Sequence, residues 1–336
     1  MSRRSALYFL DPRRTGIREE ELPEPGPGQV ELETIASAVS PGSELLVYTG
    51  AAPQNMSADR SIASLQGDLA FPLKYGYSSV GRIRRVGPGV DDSRIGQRVF
   101  SFQPHQSASV ADLEHVLPVP PGMDAAHAAL YPLVETAVTL VWDAAPLLGE
   151  DTAMVGQGAV GLVTAALLAE FPLGSLCALE TIPNRCALSR AMGTQACLHP
   201  EEADGLHPQK DRGFDLVLEL SGDPRGLDRA IELCGFAGRI VVGSWYGSKR
   251  ADLDLGGRFH RERIRLISSQ VSTLPPEIAT RLDRPRRTEI TWRHLARLDL
   301  DRLITCRVPF SRAAEAYQAL DEDREKHILA VLDYNQ

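Results

Sequence analysis

The chain has 336 residues, of which 43% are hydrophobic and 24% charged, and its formal net charge at pH 7 is −8. This length exceeds most single cores, so we expect two domains, and the composition is typical of a soluble globular protein. The acidic balance argues against nucleic-acid binding, which needs a positive surface. No apolar run has the pattern of a signal peptide or the length of a membrane span, so we expect a cytoplasmic protein with no membrane partner.

The segment 1–124 is predicted to be rich in short strands and turns. Residues 23–29 form a Pro- and Gly-rich turn cluster. Residues 30–36 then alternate between apolar and polar side chains, as a half-buried strand does. Two further stretches of the same character are 79–86 and 98–102.

From residue 125 onward, helical and strand-like patterns alternate instead. The largely apolar runs 214–220 and 238–243 are typical of strands in a sheet that is covered on both faces. We therefore predict an α/β fold, in which a β-rich domain over 1–124 precedes a doubly wound parallel sheet over 125–270.

A glycine-rich turn between a predicted strand and a predicted helix is the strongest functional signal. Gly156, Gly158 and Gly161 have the GxGxxG spacing. The first would permit a tight turn, the second would let the backbone approach a pyrophosphate, and the third would let the helix pack closely on the sheet. Free N–H groups at the start of the helix would face the negative charge of a dinucleotide. The predicted binding residues here are Gly156, Gln157, Gly158, Ala159, Val160 and Gly161, and an ordinary structural turn is the alternative.

Glu180 ends the next predicted strand, 24 residues after the first glycine. This is close to the spacing of the carboxylate that hydrogen-bonds an adenosine ribose diol, although an ordinary strand-end carboxylate is the alternative. A carboxylate there would repel a 2′-phosphate, which favours NAD. Arg185, five residues later, could accommodate that phosphate, so NADP is the alternative cofactor. Ser221 and Gly243, at the ends of two later predicted strands, complete the predicted cofactor-binding set.

The cysteines show no metal-binding or redox motif. They are odd in number and form no CxxC pair, so reduced thiols in a cytosolic protein are the expectation. The five positions are Cys177, Cys186, Cys197, Cys234 and Cys306.

Several short motifs resemble those of the medium-chain dehydrogenase/reductase superfamily, across essentially the whole chain. Those of the β-rich segment lie at 24–30, 87–90, 96–99 and 119–122. Stretches that look like the bacteriochlorophyllide a dehydrogenase subgroup lie at 40–45, 74–78, 102–106 and 259–261. The resemblance implies a GroES-like catalytic domain, completed by the C-terminal segment 271–336, and a Rossmann dinucleotide-binding domain.

The zinc ligands of that superfamily are missing from this sequence. Pro41 stands where zinc members have a cysteine, and Tyr77 stands where their Gly-His-Glu motif has the histidine. No cysteine precedes Cys177, so the four-cysteine lobe of a structural zinc is absent too. Because proline cannot ligate zinc and tyrosine rarely does, we predict neither a catalytic nor a structural zinc.

Without zinc, another group must polarise a carbonyl and move a proton. The Tyr77 hydroxyl could donate a hydrogen bond to a developing alkoxide. Ser43 matches the superfamily's Ser/Thr proton-relay position, and His105 could pass protons to solvent because histidine titrates near neutrality. The alternatives are that Tyr77 fills the vacated metal pocket and that His105 is a loop histidine bound to backbone.

Two further residues complete the candidate catalytic set. Glu135 is a carboxylate among apolar residues and needs a partner, so it is either a pocket residue or a charge at the start of a helix. Lys74 is a candidate because the chain has four lysines against 32 arginines.

Three functions agree with these patterns. The first is zinc-independent, NAD(P)-dependent interconversion of a secondary alcohol and a ketone on a small molecule, such as a cyclitol or sugar, a tetrapyrrole or a secondary metabolite. The second is NAD(P)H-dependent reduction of an activated C=C bond. The third is nucleotide binding without catalysis. The stretch 265–270 is predicted to be a last sheet strand, which relatives of this kind pair across a two-fold axis, so we expect a homodimer.

Overall fold

The structure is a computed structural model that describes residues 2–59, 61–206 and 212–334. The chain forms two compact units, one of 1–132 with 295–336 and one of 133–294. The first contains β1 (Ser2–Asp11), β2 (Arg14–Leu22), β3 (Gln29–Val39), α1 (Ser43–Tyr48), β4 (Ser79–Val86), β5 (Arg98–Ser101), β6 (Ala108–Asp112), β7 (Val116–Pro118) and α2 (Ala125–Ala128), and near its C-terminus β14 (Ile304–Pro309), α8 (Ala313–Glu322) and β15 (Leu329–Asp333).

The first unit is built on a mixed sheet with the strand order β14-β15-β3-β4-β5-β7, and β6 also pairs with β3. Alternate residues of these strands, among them Val30, Leu32, Ile83 and Val99, point into an apolar core. The C-terminal strand β15 pairs with β3 in antiparallel register, with Ala330 opposite Val39. The end of the chain therefore completes the β-rich unit.

The second unit carries the alternating helices and strands. Helix α3 (Tyr131–Ala144) leads into it, and α7 (Arg284–Arg297) leads out. Between them lie β8 (Asp151–Val155), α4 (Ala159–Leu168), β9 (Ser175–Leu179), α5 (Pro183–Ala191), β10 (Ala196–Leu198), β11 (Phe214–Glu219), α6 (Pro224–Leu233), β12 (Cys234–Val242) and β13 (Arg265–Ser268).

The sheet of the second unit is parallel, with the order β10-β9-β8-β11-β12-β13. This is the doubly wound order of a dinucleotide-binding sheet, in which ligands bind where the order reverses, here at the carboxyl ends of β8 and β11. Because both faces are covered, strand residues such as Met154 and Val217 are fully buried. The predicted α/β fold class is confirmed.

Two expectations require correction. Residues 271–294, predicted to belong to the catalytic domain, are grouped with the second unit, because α7 packs there. Cys186 on α5 and Cys197 on β10 are joined by a disulfide bond, so the prediction of reduced thiols is wrong for this pair. Cys177 and Cys234 are buried free thiols, and Cys306 is a half-buried one.

None of the helices in the described part of the chain combines the length and the apolar composition needed to cross a bilayer.

Candidate active site

Three hydroxyl groups meet in the first unit where β3 ends, α1 begins and β4 approaches. The Ser43 Oγ lies 2.7 Å from the Tyr77 hydroxyl oxygen, and the Tyr77 hydroxyl donates to the Ser40 Oγ at 2.8 Å. The Ser43 hydroxyl also donates to the Ser40 Oγ at 3.2 Å. All three side chains are half-buried, so a substrate oxygen could reach them. We call Ser40, Ser43 and Tyr77 the hydroxyl cluster.

Tyr77 is held as a neutral phenol. Burial raises its pKa to about 12, and the hydrogen bonds with Ser40 and Ser43 only partly oppose that rise. The Tyr75 ring packs edge-on against it, with 6.3 Å between the ring centroids. At neutral pH the hydroxyl is therefore a hydrogen-bond donor, and a phenolate formed there could accept hydrogen bonds from both serines.

Glu44 lies beside this cluster and is fully buried. Its Oε1 accepts the backbone N–H of Ser40 at 2.7 Å. Its Oε2 accepts the Tyr317 hydroxyl at 2.5 Å and lies 3.0 Å from the Nε2 of His105. A buried carboxylate needs such partners, and sequence reasoning overlooked it because Tyr317 is 273 residues away along the chain.

His105 is also fully buried, with its ring fixed at both nitrogens. The Nδ1 lies 2.7 Å from the Ser37 Oγ, which in turn lies 3.0 Å from the Tyr334 hydroxyl oxygen. The ring has no exposed surface from which to exchange protons with water. Its position therefore does not fit the predicted route to solvent.

Lys74 belongs to a different group of charges. Its Nζ binds the Glu20 carboxylate at 2.9 Å, and Glu20 also accepts the Arg4 guanidinium and the Tyr8 hydroxyl. This group lies on the β1–β2 hairpin, so the structure does not bring Lys74 to the hydroxyl cluster.

Glu135 lies on α3 in the second unit and forms a buried ion pair. Its Oε1 lies 3.0 Å from a guanidinium nitrogen of Arg287 on α7, and both side chains are about nine-tenths buried. Arg287 also donates to the backbone carbonyl of Val271 at 2.7 Å. Of the two interpretations left open for Glu135, this arrangement favours a structural charge over a pocket residue.

The glycine turn follows β8 directly, and two of its glycines are required by close packing. Gly156 has a φ of +95°, and a Cβ there would lie 2.6 Å from the Cα of Ser221. A Cβ at Gly161 would lie 2.4 Å from the carbonyl oxygen of Gly156. Gly158 differs, because a Cβ there would meet no atom of the described residues within 4 Å. The space beside Gly158 is where a pyrophosphate would approach the backbone.

Helix α4 begins directly after this turn, at Ala159 and Val160. Gly158 is its N-cap and provides no side-chain acceptor for the first N–H groups. Such N–H groups at the start of a helix form a natural anion site. The turn and α4 therefore fit the pyrophosphate of a dinucleotide.

Gln157 braces the turn from within. Its side chain is fully buried, donates to the Gly156 carbonyl at 3.0 Å and accepts the Ser189 hydroxyl of α5 at 2.9 Å. Its backbone N–H donates to the Glu180 Oε2 at 2.7 Å. Gln157 thus connects the turn to the strand and helix that follow it, and both polar atoms of its side chain are bonded within the protein.

Glu180 stands at the carboxyl end of β9, as predicted. Its Oε1 accepts the backbone N–H groups of Thr181 at 2.8 Å and Ile182 at 3.0 Å. Among the described residues, Oε2 accepts one hydrogen bond, from the Gln157 N–H. It can therefore accept a second one from a ribose hydroxyl. Arg185 lies on the first turn of α5, half-buried.

A second buried carboxylate, which sequence reasoning overlooked, supports the neighbouring strand end. Glu219 is fully buried. Its carboxylate accepts the Ser221 backbone N–H at 2.9 Å and the Tyr246 hydroxyl at 2.5 Å. It fixes Ser221 against Gly156. Gly243 ends the next strand, and a Cβ there would lie 2.6 Å from Leu140. The structure thus gathers Ser221 with the turn, and a side chain at 243 would displace the ends of the Leu140 and Leu220 side chains.

The donor set of the hydroxyl cluster does not fit zinc. Pro41 offers no ligand atom, the Tyr77 hydroxyl is bonded within the cluster, and Glu44 and His105 are bonded to each other. Within 2–59, 61–206 and 212–334, no group of three or more His, Cys, Asp or Glu side chains is placed to hold a metal ion.

The chain is similar in sequence to several dehydrogenases. No family model matches the chain. D-guloside 3-dehydrogenase of Escherichia coli K12 is 24% identical over 319 residues, which cover 89% of this chain and 91% of the relative. The 2-desacetyl-2-hydroxyethyl bacteriochlorophyllide A dehydrogenase of Cereibacter sphaeroides is 25% identical over 342 residues, covering 96% and 95%.

Among solved structures, a short chain alcohol dehydrogenase from Escherichia coli CFT073, complexed with NADH, matches with a TM-score of 0.79 at 16% identity. The match covers 99% of this chain and 100% of that one. Such a match at low identity establishes the fold. The chain has the GroES-like and Rossmann-type architecture of the alcohol dehydrogenases, and the similarities support the predicted resemblance to the medium-chain dehydrogenase/reductase superfamily.

Proposed function

We propose that this protein is a zinc-independent, NAD-dependent oxidoreductase that interconverts a secondary alcohol and a ketone on a small molecule. The observation that supports the proposal is the hydroxyl cluster, whose Tyr77 stands, by the resemblance, at the position of a zinc-binding histidine. The names of both relatives describe dehydrogenation of a hydroxyl-bearing small molecule, which supports an alcohol or sugar-like substrate.

When bound, the nicotinamide cofactor supplies or accepts the hydride. In the direction of reduction, the Tyr77 hydroxyl donates a hydrogen bond to the carbonyl oxygen and gives its proton to the alkoxide that forms there. For this step the Tyr77 proton, which bonds to Ser40 at rest, turns to the substrate oxygen, and the hydroxyls of Ser40 and Ser43 turn to donate to the Tyr77 oxygen. Ser40 and Ser43 then donate to the phenolate oxygen until it regains a proton from solvent.

NAD is the proposed cofactor. The glycine turn, the open N–H groups of α4 and the space beside Gly158 fit a dinucleotide pyrophosphate. The negative charge of Glu180, held at the carboxyl end of β9, disfavours a 2′-phosphate. Arg185 keeps NADP as the alternative, and a comparison of NADH and NADPH affinity by calorimetry separates the two.

The experiment that tests the reaction is a substrate panel. Purified protein is incubated with NAD⁺ and alkyl hexopyranosides or 1-arylethanols, and with NADH and the matching ketones or a set of enones, and products are identified by NMR. We expect turnover of alcohols and ketones. Turnover of enones alone would identify a C=C reductase, and tight NADH binding without any turnover would contradict catalysis.

Zinc independence is tested on the same active preparation. We expect less than stoichiometric zinc by elemental analysis and unchanged turnover after chelation, because no suitable ligand set surrounds Tyr77. One tightly held zinc per chain, lost together with activity, would overturn this part of the proposal.

We further propose a homodimer formed through β13. Among the described strands, β13 pairs with β12 on one side, and Leu266 on it is 40% exposed. An exposed strand edge is a template for pairing with a second copy. Light scattering at micromolar concentration should give twice the mass of the chain, and a monomer would contradict the proposal.

A further inference from the structure

We infer that the buried Glu44–His105 pair is a positioning device for Tyr77, which it holds from two sides, through Ser40 and through Gly76. This inference rests on the proposed function, since Tyr77 is the proton donor there. Neither Glu44 nor His105 touches the reacting atoms in this scheme. Both act through the residues that they hold in place.

The first side is the connection between β3 and α1. The Glu44 carboxylate accepts the Ser40 N–H at 2.7 Å, and the Glu44 backbone N–H donates to the Ser40 carbonyl at 3.0 Å. Both peptide groups of Ser40 are therefore bonded to the same residue. Because the Ser40 Oγ accepts the Tyr77 hydroxyl at 2.8 Å, a shift of Glu44 would move the acceptor of that hydrogen bond.

The second side is the backbone directly before Tyr77. Gly76 has a φ of +95°, and a Cβ there would lie 2.5 Å from the Nε2 and the Cδ2 of His105. The imidazole thus packs flush against the Gly76 backbone. Its Nε2 is bonded to Glu44 at 3.0 Å and its Nδ1 to Ser37 at 2.7 Å, so the ring cannot slide away from that contact.

Two tyrosines of the C-terminal segment complete the hydrogen-bond network around Glu44 and His105. The hydroxyl of Tyr317, on α8, donates to the Glu44 Oε2, and Tyr334 lies 3.0 Å from the Ser37 Oγ. Every polar atom of the pair is satisfied when Tyr334 donates to Ser37, Ser37 donates to the His105 Nδ1, and the Nε2 proton points to Glu44. A buried network in which every polar group is hydrogen-bonded is rigid. Such rigidity keeps the Tyr77 hydroxyl in a fixed position, as a proton donor requires.

The alternative is that this network only stabilises the fold. The two roles differ in their coupling to Tyr77. A residue that acts by placing the Tyr77 hydroxyl has nothing left to place once that hydroxyl is removed, whereas a residue that only stabilises the fold affects both backgrounds equally.

The test is a double-mutant cycle of Glu44→Gln and Tyr77→Phe, measured with NAD⁺ and an alcohol that the substrate panel has identified. We expect Glu44→Gln alone to lower kcat between about tenfold and about a hundredfold, the range for a small misplacement of a reacting group. In the Tyr77→Phe background we expect a further loss below about twofold. NADH affinity should not change, since the glycine turn belongs to the other unit.

The matched control is Glu31→Gln. Glu31 is another buried carboxylate of the same unit, and its partner is Arg85 rather than a residue near the cluster. Its effect on kcat should be the same in both backgrounds. If Glu44→Gln does not fold, Glu44→Asp keeps the charge but withdraws the carboxylate by one methylene, and the same coupling to Tyr77→Phe is expected.

The outcomes separate the two claims. A slow Tyr77→Phe enzyme with a normal Glu44→Gln enzyme, or with additive losses, overturns the positioning role and leaves the proposed function intact. A Tyr77→Phe enzyme of normal turnover overturns the positioning role and Tyr77 as the proton donor, while the oxidoreductase activity itself stands. If no panel compound is turned over, the ring Cζ signal of ¹³C-labelled Tyr77, assigned by its loss in Tyr77→Phe, is compared instead. It should move in Glu44→Gln and not in Glu31→Gln, and an unmoved signal overturns the inference.

Discussion

The two units build their candidate sites from different materials. In the second unit, the site is mainly backbone: glycines that allow close approach, and N–H groups at the start of α4. Its bracing bonds join residues near in sequence, with separations of 23 for Gln157–Glu180 and 32 for Ser189–Gln157. In the first unit, the site consists of side chains, and the bonds of its supporting network span 273 residues for Glu44–Tyr317 and 297 for Ser37–Tyr334.

The difference teaches that the same chain offers two kinds of vulnerability. A backbone site fails when a side chain enters space that must stay empty. A side-chain site fails when one functional group is removed, even though the fold and the packing survive. The following variants test this contrast, beginning with the largest expected effect.

The largest effect is expected for Gly158→Val, which should abolish NADH binding in a folded protein. The new side chain would enter the space where the pyrophosphate approaches, while the φ of −70° at this position suits any residue. Calorimetry with NADH and circular dichroism check the two halves of this prediction. As a contrast, Gly156→Val should unfold the unit, because its Cβ would clash with the Ser221 backbone. Unchanged NADH affinity in Gly158→Val would refute the backbone site.

Glu135→Ala tests whether the buried charge of α3 is structural. Removing one partner of a buried pair leaves Arg287 uncompensated, so we expect a loss of about 3–5 kcal/mol in the free energy of unfolding, measured with urea. Glu289→Ala, which breaks an exposed pair with Arg293 on α7, should cost less than about 1 kcal/mol. Equal losses in the two variants would argue against the structural assignment.

Tyr77→Phe tests the side-chain site directly. It keeps the ring against Tyr75 and deletes only the hydroxyl, so kcat should fall on the order of a hundredfold or more, with NADH affinity and unfolding midpoint nearly unchanged. The control is Tyr8→Phe, which removes a hydroxyl bonded to Glu20 on the β1–β2 hairpin. Near-normal turnover of Tyr77→Phe would show that the ring only fills space, and Ser43 would become the first candidate.

The smallest effect is expected for Glu180→Ala. The variant loses a charged acceptor of the Gln157 N–H and of the ribose, so NADH binding should weaken by roughly tenfold or more. NADPH binding should weaken less, because the charge that repels a 2′-phosphate is gone. A ratio of NADH to NADPH affinity equal to that of the unmodified protein would show that Glu180 braces the turn without selecting the cofactor.

Much of the fold and of the nucleotide turn could be predicted because their signals are local. Apolar runs and glycine spacing act through neighbouring residues, and they indicated the parallel sheet and the turn that follows β8. Long-range partners could not be predicted. Nothing near Glu44 in sequence indicates Tyr317, and nothing near Glu135 indicates Arg287. The surroundings of His105 and Lys74, a buried network and a charge cluster on the β1–β2 hairpin, were likewise not predictable from nearby sequence.

By itself, the sequence determined the α/β class and the position of the glycine turn, since residue identity and spacing decide these. Only the tertiary structure decided which polar groups meet. It joined Cys186 to Cys197, whose Cα atoms lie 5.2 Å apart, and it placed Ser40 between Tyr77 and Glu44. The physical reason is that a buried polar group must find a partner, and chain folding, rather than chain order, determines which one is within reach.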